Sequence, residues 1–264
     1  MSAASSRVWV VIPALDEEDA LPHVLAELAP EEPDGVVVVD NGSRDRTAQC
    51  AREGGAVVVQ EPRPGYGRAC QAGLAALGLV GQRRQPSGDP IACLEGEDIV
   101  VFLDADHSDH PDDLPRLLAP LREGRADLVI GSRILGGASL EALLPQAWFG
   151  NRLACLLMRL FFGLRATDLG PFRAIRVRAL EHLAMVDEDF GWTVEMQLKA
   201  HVAGLRVSEV PVRYRPRIGR SKITGTLSGT LRAGVKILGW IFGWRMRLWI
   251  RGMPRYEAGP AAGT

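Results

Sequence analysis

The sequence predicts an α/β domain, a mainly parallel sheet with helices on both faces, and three observations carry that expectation. Short β-branched runs recur through the first half, helical patterns separate them, and three of the runs end on an acidic or small polar residue. The carboxyl edge of such a sheet is where ligands bind.

The strands expected in order are "RVWVVI" (7–12), "GVVVVD" (35–40), "AVVVQ" (56–60), "DIVVFLD" (98–104) and "DLVIGS" (127–132). Between them "EEDALPHVLAEL", "DRTAQCAREGG", "YGRACQAGLAAL" and "PDDLPRLLAPLREG" place apolar residues at helical spacing. The segment from Leu79 to Glu97 has no periodicity and reads as a surface excursion. Beyond Gly131 the pattern changes to a helix over 144–163, a turn at "ATDLGPFRAI", an amphipathic "WTVEMQLKAHVAG" and a strand in "LRVSEVPVRY".

At 264 residues the chain can bury a full core, and neither its hydrophobic content nor its charge points to disorder. Cys50, Cys70, Cys93 and Cys155 show no metal-ligand spacing and read as thiols in a reducing cytoplasm. The N-terminus does not read as a signal peptide, because its apolar run is cut short by Pro13 and followed by acids.

The net charge of −1 conceals a division. Residues 204–264 carry 12 Lys/Arg against 2 Asp/Glu, whereas residues 1–203 carry 19 against 30. Residues 1–225 are read as the globular domain and 226–264 as a basic tail meeting an anionic surface. In that tail the apolar stretch Val235–Ile250 is interrupted by Lys236, Arg245 and Arg247, so it is too short and too charged to span a membrane. Trp240, Trp244 and Trp249 interleaved with Arg fit an interfacial amphipathic helix, and a helix packed on the body is the alternative. No nucleic-acid-binding module accompanies the basic residues.

The chemistry concentrates in "VVFLDADHSDH". Asp104 and Asp106, one residue apart at a strand end, share a face and repel unless a cation lies between them; hard carboxylate oxygens suit Mg²⁺ or Mn²⁺. Acids before Pro111 could also cap a helix, which accounts for Asp109 but not for Asp104. The glycines of "RPGYGRA" permit close backbone approach to a ligand. "RYRPRIGRSK" supplies Arg forks and a Lys charge suited to phosphate.

In order and spacing, "VVIPALDEED", "VVVVDNGSRDRT", "PGYGRAC", "VFLDADHSDHPDDL", "VIGSR", "TDLGPFRAI" and "RIGRSK" resemble the family-2 glycosyltransferases, in particular those acting on polyprenyl phosphates. The resemblance covers residues 7–225 and implies the GT-A fold, a Rossmann-like nucleotide-binding sheet joined to an acceptor-binding half. It implies that Pro13, Ala14, Leu15, Glu17, Asp40, Gly65, Gly67, Arg68, Asp104 and Ala105 bind the nucleotide sugar. Asn41 stands where the family more often has an acid. Asp106 and Ser108 are implied as metal ligands; Ser108 occupies a position commonly filled by a ligating Gln and is the poorer ligand, for which Asp109 or a water could substitute.

Asp168 is the carboxylate implied at the reacting centre, its alternative being an ordinary turn Asp. Arg217 and Lys222 are implied in catalysis, and Arg133, Arg215, Arg220, Ser221 and Glu195 at the acceptor or its phosphate, although an exposed helix acid is the simpler reading of Glu195. The expected reaction is an inverting, Mg²⁺- or Mn²⁺-dependent transfer from a UDP- or GDP-linked sugar, UDP-glucose first and GDP-mannose next. The expected acceptor is a polyprenyl phosphate at the cytoplasmic face of an anionic membrane, the protein being peripheral. A soluble phosphorylated acceptor and a non-catalytic nucleotide-sugar-binding scaffold are the alternatives.

Overall fold

The computed structural model describes residues 6–79, 89–139, 145–219, 234–244 and 246. One seven-stranded sheet organises them, in the order β3-β2-β1-β4-β6-β5-β7. The strands are β1 (Val8–Ala14), β2 (Gly35–Asp40), β3 (Val57–Gln60), β4 (Ile99–Phe102), β5 (Leu128–Ser132), β6 (Arg173–Arg176) and β7 (Val207–Pro211). The first four pair in parallel, as do β5 and β7, while β6 runs antiparallel to both β4 and β5. The expected strands are present, and β6 is an addition within the stretch that the sequence presents as a turn.

Helices cover both faces: α1 (Leu21–Leu28), α2 (Thr47–Glu53) and α4 (Leu114–Arg122) on one, α3 (Tyr66–Ala76), α6 (Val177–Leu183) and α7 (Trp192–Ala203) on the other. Alternation along β1 divides its side chains between the two cores: Val10 and Ile12 join Leu21, Leu25 and Leu117, while Val11 joins Leu74, Leu77 and Trp192. Each such side chain, fully buried, contributes about 1.5–3 kcal/mol. The β1–β4 ladder stops at Val11↔Phe102, whereas β1–β2 pairing continues to Ala14↔Asp40. Beyond Phe102 the chain is released to form the loop that carries Asp104 and Asp106.

A third core lies under α5 (Pro145–Phe162) and a C-terminal helix, α8 (234–244). Met158, Leu169, Val194, Leu198 and Ile241 are buried there, with Ile237, Trp240 and Trp244 packed against them. Trp240 Nε1 donates to Asp187 Oδ2 at 2.5 Å and Lys236 Nζ lies 3.2 Å from the same oxygen. Two of the three tail tryptophans therefore face the protein, which corrects the picture of their rings at headgroup depth. Arg245, Arg247 and Trp249 fall outside the described side chains. Among the described residues no helix is long and apolar enough to cross a membrane, and the four cysteines are free thiols.

Candidate active site

Asp104 leaves the end of β4 and accepts a hydrogen bond from Tyr66 Oη at 3.1 Å. Burial and the neighbouring charge of Asp106 push its carboxyl up to about 6. Asp106 is held differently: Oδ1 accepts from the backbone N–H of Ser108 at 3.0 Å and from its Oγ at 2.5 Å, while Oδ2 meets Arg217 Nη1 at 2.8 Å. Between Asp106 and Ser108, His107 adopts a left-handed backbone, φ 62°, which breaks strand alternation and folds the loop back.

A strap running from Val212 to Ile218 lies along that loop. Asp109 and Tyr214 form an antiparallel bridge, Arg215 N donates to Ser108 O, and Ile218 N donates to Asp106 O. Alternate arginines fasten it. Arg213 pairs with Asp112 and Asp113, and Arg215 pairs with Glu27 while donating to the carbonyls of His107 and Asp109. Arg215 thus anchors the strap instead of offering its guanidinium to a phosphate, and Arg217 is the one of the three that pairs with Asp106. Arg220, Ser221 and Lys222 lie outside the described residues.

Glu27, His110 and Asp112 also place ligand-type atoms within 4.8 Å of one another. Arg215 and Arg213 already neutralise the two acids there.

Asp168 is fully buried, and both its oxygens are taken by Arg133: Oδ2 by the backbone N–H and Nε, each at 2.8 Å, and Oδ1 by Nη2 at 2.7 Å. Burial works against the Arg133 charge, but Asp168 outweighs it and raises the guanidinium's pKa. The guanidinium also stacks on Tyr214, 5.1 Å from the ring centroid. Behind this pair Glu209 of β7 accepts from Thr167 N, Thr167 Oγ1 and Asp168 N, and Gln197 donates to the Asp168 carbonyl. A carboxylate bonded in this way is an anchor for Arg133, not a free base.

On the other side of Asp104, Pro13 and Ala14 end β1, and the Leu15–Glu17 loop follows beside β2. Asp40 turns inward to accept from Ser43 N at 2.9 Å. Asn41 is buried and donates to the carbonyls of Glu61 and Arg63 while accepting from Gly65 N at 2.9 Å, so it knits together the ends of β2, β3 and α3. An acid at this position could not donate to those carbonyls. Gly65 and Gly67 do serve close approach, but to the chain itself: a Cβ would strike the carbonyl of Glu188 or of Asp187 respectively. Arg68 pairs with Glu188 at 2.5 Å. These three residues therefore dock α3 on the 187–189 segment, which corrects their assignment to direct ligand contact in this conformation.

Two further expectations are corrected. Glu195 is not an exposed helix acid and does not reach the carboxylate cluster; it is fully buried, accepts from Val186 N and Asp187 N, and pairs with Lys199 at 2.6 Å. Its helix α7 is buried nearly all round instead of amphipathic. Asp109 does not cap the turn at Pro111, whose preceding residue is His110 and which has no side-chain cap. Both Asp109 oxygens are buried and lack hydrogen-bond partners among the described residues. Tyr66, Tyr214, Thr167 and Glu209 join the site without having been foreseen.

Ala105 is buried beneath the loop. The arrangement, carboxylates above the sheet edge with arginines around them, is suited to binding a diphosphate through a cation and to stabilising a departing phosphate.

An uncharacterized glycosyltransferase of Mycobacterium tuberculosis is 39% identical over 236 residues, spanning 87% of this chain and 95% of its own. The undecaprenyl-phosphate mannosyltransferase of Micrococcus luteus is 32% identical over 250 residues, 89% of this chain and 93% of its own. Among solved structures, glucosyl-3-phosphoglycerate synthase from Mycobacterium tuberculosis, in complex with Mn²⁺, UDP-glucose and phosphoglyceric acid, superimposes with a TM-score of 0.66 at 24% identity, covering 90% of this chain and 81% of that one. That likeness fixes the fold as GT-A. The model of the glycosyl transferase family 2 matches residues 9–78 and 91–184, and the chain belongs to that family as a glycosyltransferase.

Proposed function

We propose that the chain transfers a hexose from a UDP- or GDP-linked donor to a polyprenyl phosphate at a membrane surface, with inversion at the anomeric carbon. The observation that carries the donor half is the set of carboxylates at the sheet edge: Asp104 and Asp106 are one residue apart, and Asp109, three residues on, is buried with no hydrogen-bond partner among the described residues. These hard oxygens fit Mg²⁺ or Mn²⁺, the ions of the solved neighbours with UDP. When bound, the cation offsets the carboxylate charge and that of the donor diphosphate.

The chain's own residues do the rest. Tyr66 fixes Asp104, and Ser108 fixes Asp106. Arg217, paired with Asp106 here, is placed to turn toward the departing diphosphate. Asp168 and Glu209 hold Arg133 and its loop at the acceptor side. A phosphate oxygen of the acceptor forms the bond to C1 as the bond from C1 to the donor's phosphate oxygen breaks, and the nucleoside diphosphate leaves. The acceptor is already ionised near neutral pH, so the step needs no general base, consistent with the full engagement of Asp168.

The lipid acceptor is supported by the Micrococcus luteus relative, whose name also favours mannose, and by the outer surface of α5. Phe149, Leu156 and Leu160 are exposed along one stripe with Arg152 and Arg159, and Phe242 of α8 contacts Phe161 beside it, with Val235 and Met246 exposed nearby in sequence. Apolar side chains interleaved with cations suit an anionic lipid surface. A soluble phosphorylated acceptor is the second reading, motivated by the phosphoglycerate acceptor of the solved neighbour.

The test is transfer of labelled sugar by purified protein from a panel of UDP- and GDP-hexoses to a short-chain polyprenyl phosphate and, separately, to phosphoglycerate, with Mg²⁺, Mn²⁺ or EDTA. A cation-dependent lipid product from one donor is expected. Product on phosphoglycerate alone would replace the lipid reading, and no product with either would overturn both.

A further inference from the structure

In this chain the position at which a ligating Gln commonly stands is Ser108, and Ser108 is already committed. Its hydroxyl and its N–H both bond to Asp106 Oδ1, which makes it a brace for Asp106. The next residue is different in kind. Asp109 is 2% exposed, and neither of its oxygens has a hydrogen-bond partner among the described residues. Leaving a carboxylate ionised, buried and unpaired costs several kcal/mol, and burial raises the Asp109 pKa accordingly; a bound cation would offset that cost.

Among the described residues the nearby cations do not fill the gap. Arg133 is bound through three N–H groups to Asp168, Arg217 faces Asp106, and Arg215 gives its side chain to Glu27 and to backbone carbonyls. Burial first, and then the charges of Asp104, Asp106 and Asp168, raise the Asp109 carboxyl above its ordinary range, with Arg133 acting against them. The Asp109 backbone is fixed by the bridge to Tyr214 of the strap, so the carboxylate is held there by sheet-like pairing and not by its own side chain.

We propose that Asp109 is a direct ligand of the divalent cation, taking over with a carboxylate the role that an amide carbonyl would have at residue 108. This rests on the donor-site reading above and deepens it. Replacing a neutral ligand by an anionic one strengthens the hold on the cation and puts one more negative charge opposite the diphosphate, so the chain binds metal before nucleotide more readily than a Gln site would.

The test is Mn²⁺ binding, read from the free-ion electron paramagnetic resonance signal, with and without UDP or GDP. The proteins compared are the unaltered chain, Asp109→Asn, Asp109→Ala, Asp106→Asn and the double variant Ser108→Gln/Asp109→Ala, each checked for folding by thermal melting. Loss of an outer-shell partner alone weakens metal binding about 10–100-fold, so loss of this ligand is expected to cost at least about tenfold, with Ser108→Gln restoring much of it. If Asp109→Ala binds Mn²⁺ as the unaltered chain does while Asp106→Asn does not, the inference falls and the donor site stands. If the unaltered chain binds no Mn²⁺ with either nucleotide, the donor-site reading falls and takes the inference with it.

Discussion

Arg217 places Nη1 2.8 Å from Asp106 Oδ2, so in this conformation a side chain of the strap is the counter-ion of the residue read as metal ligand. A cation and Arg217 then compete for one oxygen. Arg217→Ala is expected to tighten Mn²⁺ binding in the absence of nucleotide and to lower kcat at saturating donor. A titration followed by steady-state rates checks both, and unchanged metal affinity would show that the pair does not guard the site.

The Arg133–Asp168 pair separates structural from chemical importance. Breaking a buried pair by removing one partner costs about 3–5 kcal/mol, whereas replacing both by apolar residues is often neutral. Asp168→Ala is therefore expected to lower Tm and abolish transfer, while Arg133→Leu/Asp168→Leu recovers most of the melting temperature but not transfer. Recovery of both would reduce the pair to scaffolding.

The folded-state carboxyl of Asp104 titrates near 6, above its ordinary value near 4. Between those values the folded chain holds more protons than the unfolded one, so this group makes stability fall as pH rises from about 4 to about 6. The loss is no more than about 3 kcal/mol. Melting in EDTA across that range is expected to show a decline that Asp104→Asn removes and that Mn²⁺ with UDP or GDP offsets. A variant curve parallel to the original would contradict it.

Ser in place of Phe149, Leu156 and Leu160 together is expected to reduce cosedimentation with anionic vesicles and transfer to long-chain acceptor. Turnover of a short-chain acceptor in detergent should stay near its original rate, since exposed substitutions shift stability by about 0.5 kcal/mol or less each. Equal losses on both acceptors would speak against a lipid-facing role.

The parallel half of the sheet is legible in sequence because β1, β2 and β4 are nearly unbroken β-branched runs buried on both faces. The β6 strand, Arg-Ala-Ile-Arg, hides because its first residue is a fully buried arginine. Arg173 survives there by donating to the carbonyls of Leu169, Gly170 and Thr193, partners that no local pattern reveals, and burial lowers its pKa to about 10. The helix α7 misleads for a related reason: Glu195 and Gln197 look like solvent-exposed polar residues but bond inward to a loop and to Asp168. At the site, Asp104 and Asp106 are evident from spacing. What Arg215, Arg217 and Asp109 each do is decided by the crossing of a strap more than 100 residues away along the chain.

The Asp187–Asp189 segment receives α8 on one side, through Asp187 Oδ2 to Trp240 and Lys236, and the N-terminus of α3 on the other, through hydrogen bonds from Gly67 and Arg68. Gly191, whose added Cβ would meet the Trp240 ring, leaves no slack on the first side, and Gly65 and Gly67 leave none on the second. The segment is thus a rigid coupling between the helix at the chain's basic end and the helix that carries Tyr66 to Asp104. Force applied to α8 has a short, closely packed route to the edge of the sheet where Asp104 stands, so a load on that helix and the posture of Tyr66 are mechanically linked.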